Sequence, residues 1–160
     1  MKVGIDIGGT TIAVGMLDNN NIIVKKTIIK TRISDGINHV INRLNDTIQY
    51  IIDQTEVDLN KISHFGIGCA GMIDRSTGEI LYSNNFDWEN VPLKDKIQKR
   101  FPIPIYMEND ANCAAIGEYT VGVGKKYKSM VMITFGTGIG GGIILNDALF
   151  KGNDGFSNFV

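Results

Sequence analysis

Two turns rich in glycine and threonine carry the first chemistry that the sequence offers. One is Asp6-Ile7-Gly8-Gly9-Thr10-Thr11, set between the apolar runs 3–7 and 12–17. The other is Thr134-Phe135-Gly136-Thr137-Gly138-Ile139-Gly140-Gly141-Gly142. A tight glycine turn between strands can aim several backbone N–H groups at one point, where an anion is the natural guest. Either turn alone is an ordinary hairpin connection. Two of them in one chain suggest a clamp for a polyphosphate, and Asp6, at the exit of the first strand, could hold a cation beside it. A third segment, Ser83-Asn84-Asn85-Phe86-Asp87-Trp88, has two readings. Its asparagines offer donors and acceptors to a hydroxylated ligand. As a bare loop it is more simply a turn whose Phe86 and Trp88 anchor it to the core.

The elements that must position these turns follow from periodicity. The segments 3–7, 12–17 and 22–29 read as strands, with Asp18-Asn19-Asn20-Asn21 as a turn; short connections make them antiparallel neighbours, so the chain opens with a meander. Ser34 or Asp35 caps a helix in which Ile37, Val40, Ile41, Leu44, Ile48, Ile51 and Ile52 recur at three- and four-residue steps. It precedes a fourth strand, 62–69, and is therefore a crossover helix. A short strand at 80–82, a helix opened by Pro92 and running to Lys99 or Arg100, and a strand at 105–107 follow. Asn109 or Asp110 caps a further helix. Gly122-Val123-Gly124-Lys125-Lys126 reads as a connector between domains, and 130–135 with 143–145 as a glycine-turned strand pair. The expected division is 1–123 as a first domain and 124–160 as the start of an incomplete second one.

Several decoys are excluded. Gly66 to Gly71 and Gly136 to Gly141 both match GxGxxG, but neither is followed by the helix that a dinucleotide fold requires. The net charge of −1 argues against a broad nucleic-acid footprint. No apolar run is long enough to cross a bilayer, and the N-terminus runs straight into a strand with no signal-peptide core. Cys69 and Cys113 have no metal spacing, so two buried free thiols in a reducing cytoplasm are expected. The 19 glycines in 160 residues exceed what composition alone supplies, the usual share being about 7%. Most of the excess lies in the turns.

Taken together, Asp6 to Thr10, Gly66 to Gly71, Ser83-Asn84-Asn85, Val91-Pro92-Leu93, Glu108-Asn109-Asp110-Ala111-Asn112 and Ile133 to Gly142 resemble, in order and spacing, the ROK family of sugar kinases. These glucokinase- and fructokinase-like enzymes belong to the actin-like ATPase superfamily. The resemblance implies an α/β, ribonuclease-H-like domain: a mixed sheet opening with an antiparallel three-strand meander and flanked by helices. It implies ATP-dependent phosphorylation of a hexose hydroxyl in the cytoplasm. Asp110 matches the catalytic base, a role that suits a carboxylate within reach of the sugar hydroxyl. Gly71, Asn84, Asn85 and Asn109 match positions around the sugar. Gly8, Gly9, Thr10 and Thr11 match the first phosphate turn; Gly136, Thr137 and Gly138 match the second. Asp6 matches the residue near Mg²⁺, acting through water. Family members are commonly dimers.

The chain departs from the family pattern at its end. The family continues after Gly152 into Gly-Glu-x-Gly-His, whereas Gly155-Phe156 is followed here by Ser157-Asn158-Phe159-Val160. Phe159 stands where the sugar-binding Glu is expected, and the zinc-site His and cysteines are missing, so no zinc site is expected. The expectation is a truncated kinase, weakly active or inactive alone, with residues from about Lys125 onward least well anchored. A non-catalytic sugar- or nucleotide-binding module, or a ROK-type regulator without its DNA-binding domain, is the alternative.

Overall fold

The computed structural model describes residues 1–136 and 138–152. β1 (Lys2–Ile7), β2 (Thr11–Leu17) and β3 (Ile23–Lys30) form the expected antiparallel meander. Alternation turns Val3, Ile5 and Ile7 of β1, with Ile12, Val14 and Met16 of β2, onto one buried face. α1 (Ile37–Thr55) covers that face with Val40, Leu44, Ile48 and Ile51, the stripe that the sequence spacing predicts. Its start differs from expectation. Ser34 and Asp35 sit in a 3-10 turn (Ile33–Asp35), and the N-cap is Gly36 with no side-chain cap bond. Gly36 has φ 88°, a conformation that L side chains rarely adopt, and its carbonyl accepts the Val40 N–H at 3.1 Å.

β4 (Phe65–Cys69) runs parallel to β1. It is shorter than the 62–69 expected, because pairing begins at Val3 opposite Phe65, after a 3-10 turn at Leu59–Lys61. β5 (Met72–Asp74), β6 (Glu79–Ser83) and β7 (Trp88–Val91) then make a separate antiparallel sheet of order β5-β6-β7. Only β6 is visible in the sequence pattern. A strand rather than a helix follows Gly71, in keeping with the rejected dinucleotide reading. α2 (Leu93–Gln98) follows Pro92, and β8 (Ile105–Asn109) pairs parallel to β4, completing the order β3-β2-β1-β4-β8.

α3 (Asp110–Thr120) lies on the opposite face of this sheet from α1, with Cys113 against Gly68. The segment read as a connector contains a 3-10 turn (Val123–Lys126). β9 (Met130–Phe135), β10 (Ile139–Leu145) and β11 (Ala148–Leu149) form a third sheet, order β11-β10-β9. β10 begins four residues earlier than expected, because its glycines let it lie directly on α3. A β-carbon at Gly142 would sit 2.6 Å from the Ala115 Cβ, and one at Gly140 would sit 3.1 Å from the Ala111 Cβ. The hairpin is thus held closely on its inner side, while Val131, Ile133 and Phe135 on the outer side of β9 are exposed. Gly142→Ala is expected to push β10 off α3 and to cost about 1–3 kcal/mol, measured by urea unfolding. Among the described residues no helix is long and apolar enough to cross a membrane.

Candidate active site

The first glycine turn joins β1 to β2. Gly8 N–H donates to the Thr11 carbonyl at 2.9 Å, and the Thr31 hydroxyl donates to the Gly8 carbonyl at 2.6 Å. Thr31 N–H donates to the Thr10 carbonyl at 2.9 Å, so the buried Thr31 braces the turn from β3's end. The N–H groups of Gly9 and Thr10 take no part in this bonding among the described residues. Such unspent donors suit an anion.

At the other side of the sheet, β8 ends where α3 begins. Asn109, not Asp110, is the cap: its Oδ1 accepts the N–H of Ala111 at 3.0 Å and of Asn112 at 3.3 Å. Its Nδ2 donates to the Gly71 carbonyl at 3.3 Å. Asn109 is therefore largely spent on holding β8, α3 and the Gly71 turn together. Asp110 is relieved of that work. Its Oδ1 accepts only the adjacent Ala111 N–H at 2.9 Å, and its other oxygen accepts no hydrogen bond among the described residues.

One cleft of about 1670 Å³ takes in Asp6, Gly8 and Gly9 from the first turn and Asn109 and Asp110 from the α3 start. Gly71, Asn84 and Asn85 line it from the small sheet, and Gly136 and Gly138 from the second glycine turn. The structure thus gathers ten of the singled-out positions. Thr10 and Thr11 are exposed on the turn but are not among the residues lining the cleft. Thr137 and Phe159 lie outside the described residues.

The anchoring reading of the 83–88 loop holds, and its two asparagines face the cleft. Phe86 and Trp88 are buried with ring centroids 4.9 Å apart, while Asn84 and Asn85 are exposed on the cleft side. A β-carbon on Gly9 would meet the Asn85 carbonyl at 3.5 Å, so the asparagine loop stands beside the first glycine turn. Gly71 is tightly enclosed by backbone: at φ 121°, a β-carbon there would lie 2.4 Å from the Tyr82 carbonyl oxygen and 2.8 Å from the Ser83 Cβ.

Charge is unevenly shared. Burial, then the negative charge of Asp110, push the Asp6 carboxyl up, and Lys26 opposes them. Two carboxylates bearing on each other in one cleft are a natural seat for a hard cation that carries phosphate and water as its remaining ligands. No cluster of three or more metal-ligating side chains occurs among the described residues. Cys69 is buried as expected, but Cys113 is only half-buried and lines the cleft. Burial, then the charges of Glu108, Asp110 and Asp6, push its thiol up to about 12, so it is a poor nucleophile at neutral pH.

Lys26, Arg75 and Glu108 also line the cleft, and no spacing or motif in the sequence gives them an individual role there. Burial pushes the Glu108 carboxyl up, but hydrogen bonds from Arg75, Asn112 and the Asn109 N–H outweigh it and hold the group below the ordinary glutamate range.

A model of the ROK family matches residues 2–158. The chain belongs to the ROK family. It is 40% identical over 154 residues to a glucokinase of Thermotoga maritima, covering 96% of this chain and 47% of that protein. A ROK family glucokinase from Streptomyces griseus, solved in complex with glucose and AMPPNP, superposes with a TM-score of 0.87 at 35% identity, over 98% of this chain and 48% of that one. A xylose repressor of Caldicellulosiruptor bescii is 30% identical over 158 residues, or 99% of this chain and 40% of the repressor. The fold is therefore that of the actin-like ATPases, as the ROK motifs imply. This ROK chain spans about half the length of the curated relatives it matches.

Proposed function

We propose that the chain forms the sugar side of the active site of an ATP-dependent hexose kinase of glucokinase type. The observation that carries this reading is the position of Asp110. A neighbour caps its helix, one of its oxygens accepts no hydrogen bond among the described residues, and it faces the same cleft as the Gly8–Gly9 turn and the Asn84–Asn85 loop. In this reading Asn84, Asn85 and the Gly71 turn hold the hexose, with Asn109 fixing the turn. Asp110 accepts the proton of the attacking hydroxyl as the phosphoryl group arrives. The N–H groups of Gly9 and Thr10, unbonded among the described residues, and the Gly136–Gly138 turn receive the phosphates. Asp6 would hold Mg²⁺ through water; the ion's contribution is to offset phosphate charge.

The relatives carry about as much chain again. In this reading that part holds the adenosine half of ATP, the boundary falls at 123/124, and the β9–β11 sheet begins the second unit. The 160 residues alone then turn over poorly. Calorimetry with glucose and with Mg·ATP, run separately, tests the assignment. Glucose is expected to bind 1:1 and Mg·ATP weakly; a chain that binds neither contradicts it. Asp6→Asn is expected to raise the melting temperature of the unliganded chain at pH 7. The raised Asp6 pKa means that stability is lost as pH rises from the ordinary 3.8 through the folded value, and the amide removes that loss. The same variant should bind Mg·ATP less well than the parent.

The xylose-repressor match favours a second reading, a sugar-sensing half of a regulator. Such a protein would bind sugar but give no phosphoryl transfer even when its second half is supplied.

A further inference from the structure

Arg75 and Glu108 belong to different sheets. Arg75 lies in the turn after β5; Glu108 is next to last in β8. Arg75 Nε donates to Glu108 Oε2 at 2.5 Å and Nη2 to Oε1 at 2.7 Å, a two-pronged pair whose side chains are 20% and 14% exposed. The Glu108 Oε1 also accepts the Asn109 N–H at 2.9 Å and the Asn112 Nδ2 at 3.0 Å. One carboxylate thus bonds to residues on both sides of Asp110.

The Arg75 end is equally well anchored. Asp74 Oδ1 accepts from Ser76 N–H at 2.8 Å, Ser76 Oγ at 2.6 Å and Thr77 N–H at 3.3 Å, which fixes the turn that carries Arg75. β6 leaves that turn and delivers Ser83-Asn84-Asn85 at its far end. The small sheet is therefore tied to the Asp110 turn by two polar links, Arg75–Glu108 and Asn109–Gly71. Of these, Arg75–Glu108 is the doubly bonded and charged one.

We propose that Arg75 is a positioning residue: by clamping Glu108 it sets the spacing between the Asn84–Asn85 loop and Asp110, and so governs how tightly the cleft holds a hexose. The hexose clause rests on the sugar-kinase reading; the spacing clause does not. Arg75 touches no substrate in this account. Lysine in its place supplies the charge without the planar fork, so it restores the clamp only in part.

The test compares the parent chain with Arg75→Met and Arg75→Lys by two readouts: glucose titration followed by calorimetry, and amide hydrogen exchange at Asn84, Asn85 and 110–112 against 48–52 of α1. Arg75→Met is expected to weaken glucose binding by about tenfold or more, the loss appropriate to a charge-assisted pair. Exchange at the loop and at the α3 start should accelerate similarly while the α1 amides keep their protection, and Arg75→Lys should fall between. Should Arg75→Met not fold, Arg75→Lys carries the same comparison. Exchange that is unchanged at the loop, or that rises equally in α1, overturns the proposal and leaves an ordinary stabilising ion pair. A parent that binds no glucose while the two sites still respond in exchange removes the hexose clause and upholds the clamp.

Discussion

On the sugar-kinase reading, Asp110→Asn is expected to lower phosphoryl transfer from ATP to glucose by about 10²–10⁴-fold, the range that a positioned general base supplies. The assay uses the chain extended by the C-terminal half of the Thermotoga maritima glucokinase, so that the turnover reports on both sides of the cleft. The substitution is close to isosteric. The asparagine Oδ1 can still accept the Ala111 N–H, and the helix cap belongs to Asn109, so the fold is left intact. What is lost is an anionic acceptor for the hydroxyl proton. Melting temperature should stay within a few degrees of the parent. A rate unchanged by the substitution would remove Asp110 from the role of base, and a large drop in melting temperature would show a structural role that the hydrogen bonds do not reveal.

Gly71→Ala is the second large effect. Two penalties coincide there: a backbone at φ 121° and a β-carbon 2.4 Å from a backbone oxygen of β6, which has no flexible end to move aside. Backbone strain and overpacking together should cost about 2–5 kcal/mol. Relief requires β6 to shift, which moves Ser83-Asn84-Asn85 and breaks the Asn109–Gly71 bond, so glucose binding should fall with stability. Gly66→Ala is the control. Among the described residues nothing lies within 4 Å of a β-carbon there, and its φ is not in the positive range, so the change should be neutral or slightly stabilising in urea unfolding. Equal losses at both positions would contradict the packing account of Gly71.

The contrast between Gly66 and Gly71 shows how far the sequence could be read. Both belong to one GxGxxG string, yet only one is compelled by its surroundings, and spacing alone could not say which. The α1 stripe was legible because one long helix must bury one face, and Val40, Leu44, Ile48 and Ile51 repeat with its turn. The two glycine turns were legible because strands must end before them. Gly36 hid the true helix start: the sequence offered Ser34 as a better cap, and the 3-10 turn that occupies Ser34 gives no pattern of its own. β5 and β7 were missed because three- and four-residue strands in a small sheet carry too little alternation. The Arg75–Glu108 pair joins residues 33 apart, across two sheets, and no local signal announces such a partnership. The seat of the second hairpin was readable in hindsight. Gly140 and Gly142 recur at strand spacing, Ala111 and Ala115 at helix spacing, and small residues repeating on both elements mark a close approach.

The central claim is that a hexose sits between the asparagine loop and the start of α3. Amide chemical shifts of the ¹⁵N-labelled chain during a glucose titration test it most directly. The account predicts saturable shifts at Gly71, Asn84, Asn85 and Asp110, with β3 and the outer side of β9 left still. Shifts confined to those outer strands, or none at any glucose concentration, would contradict it.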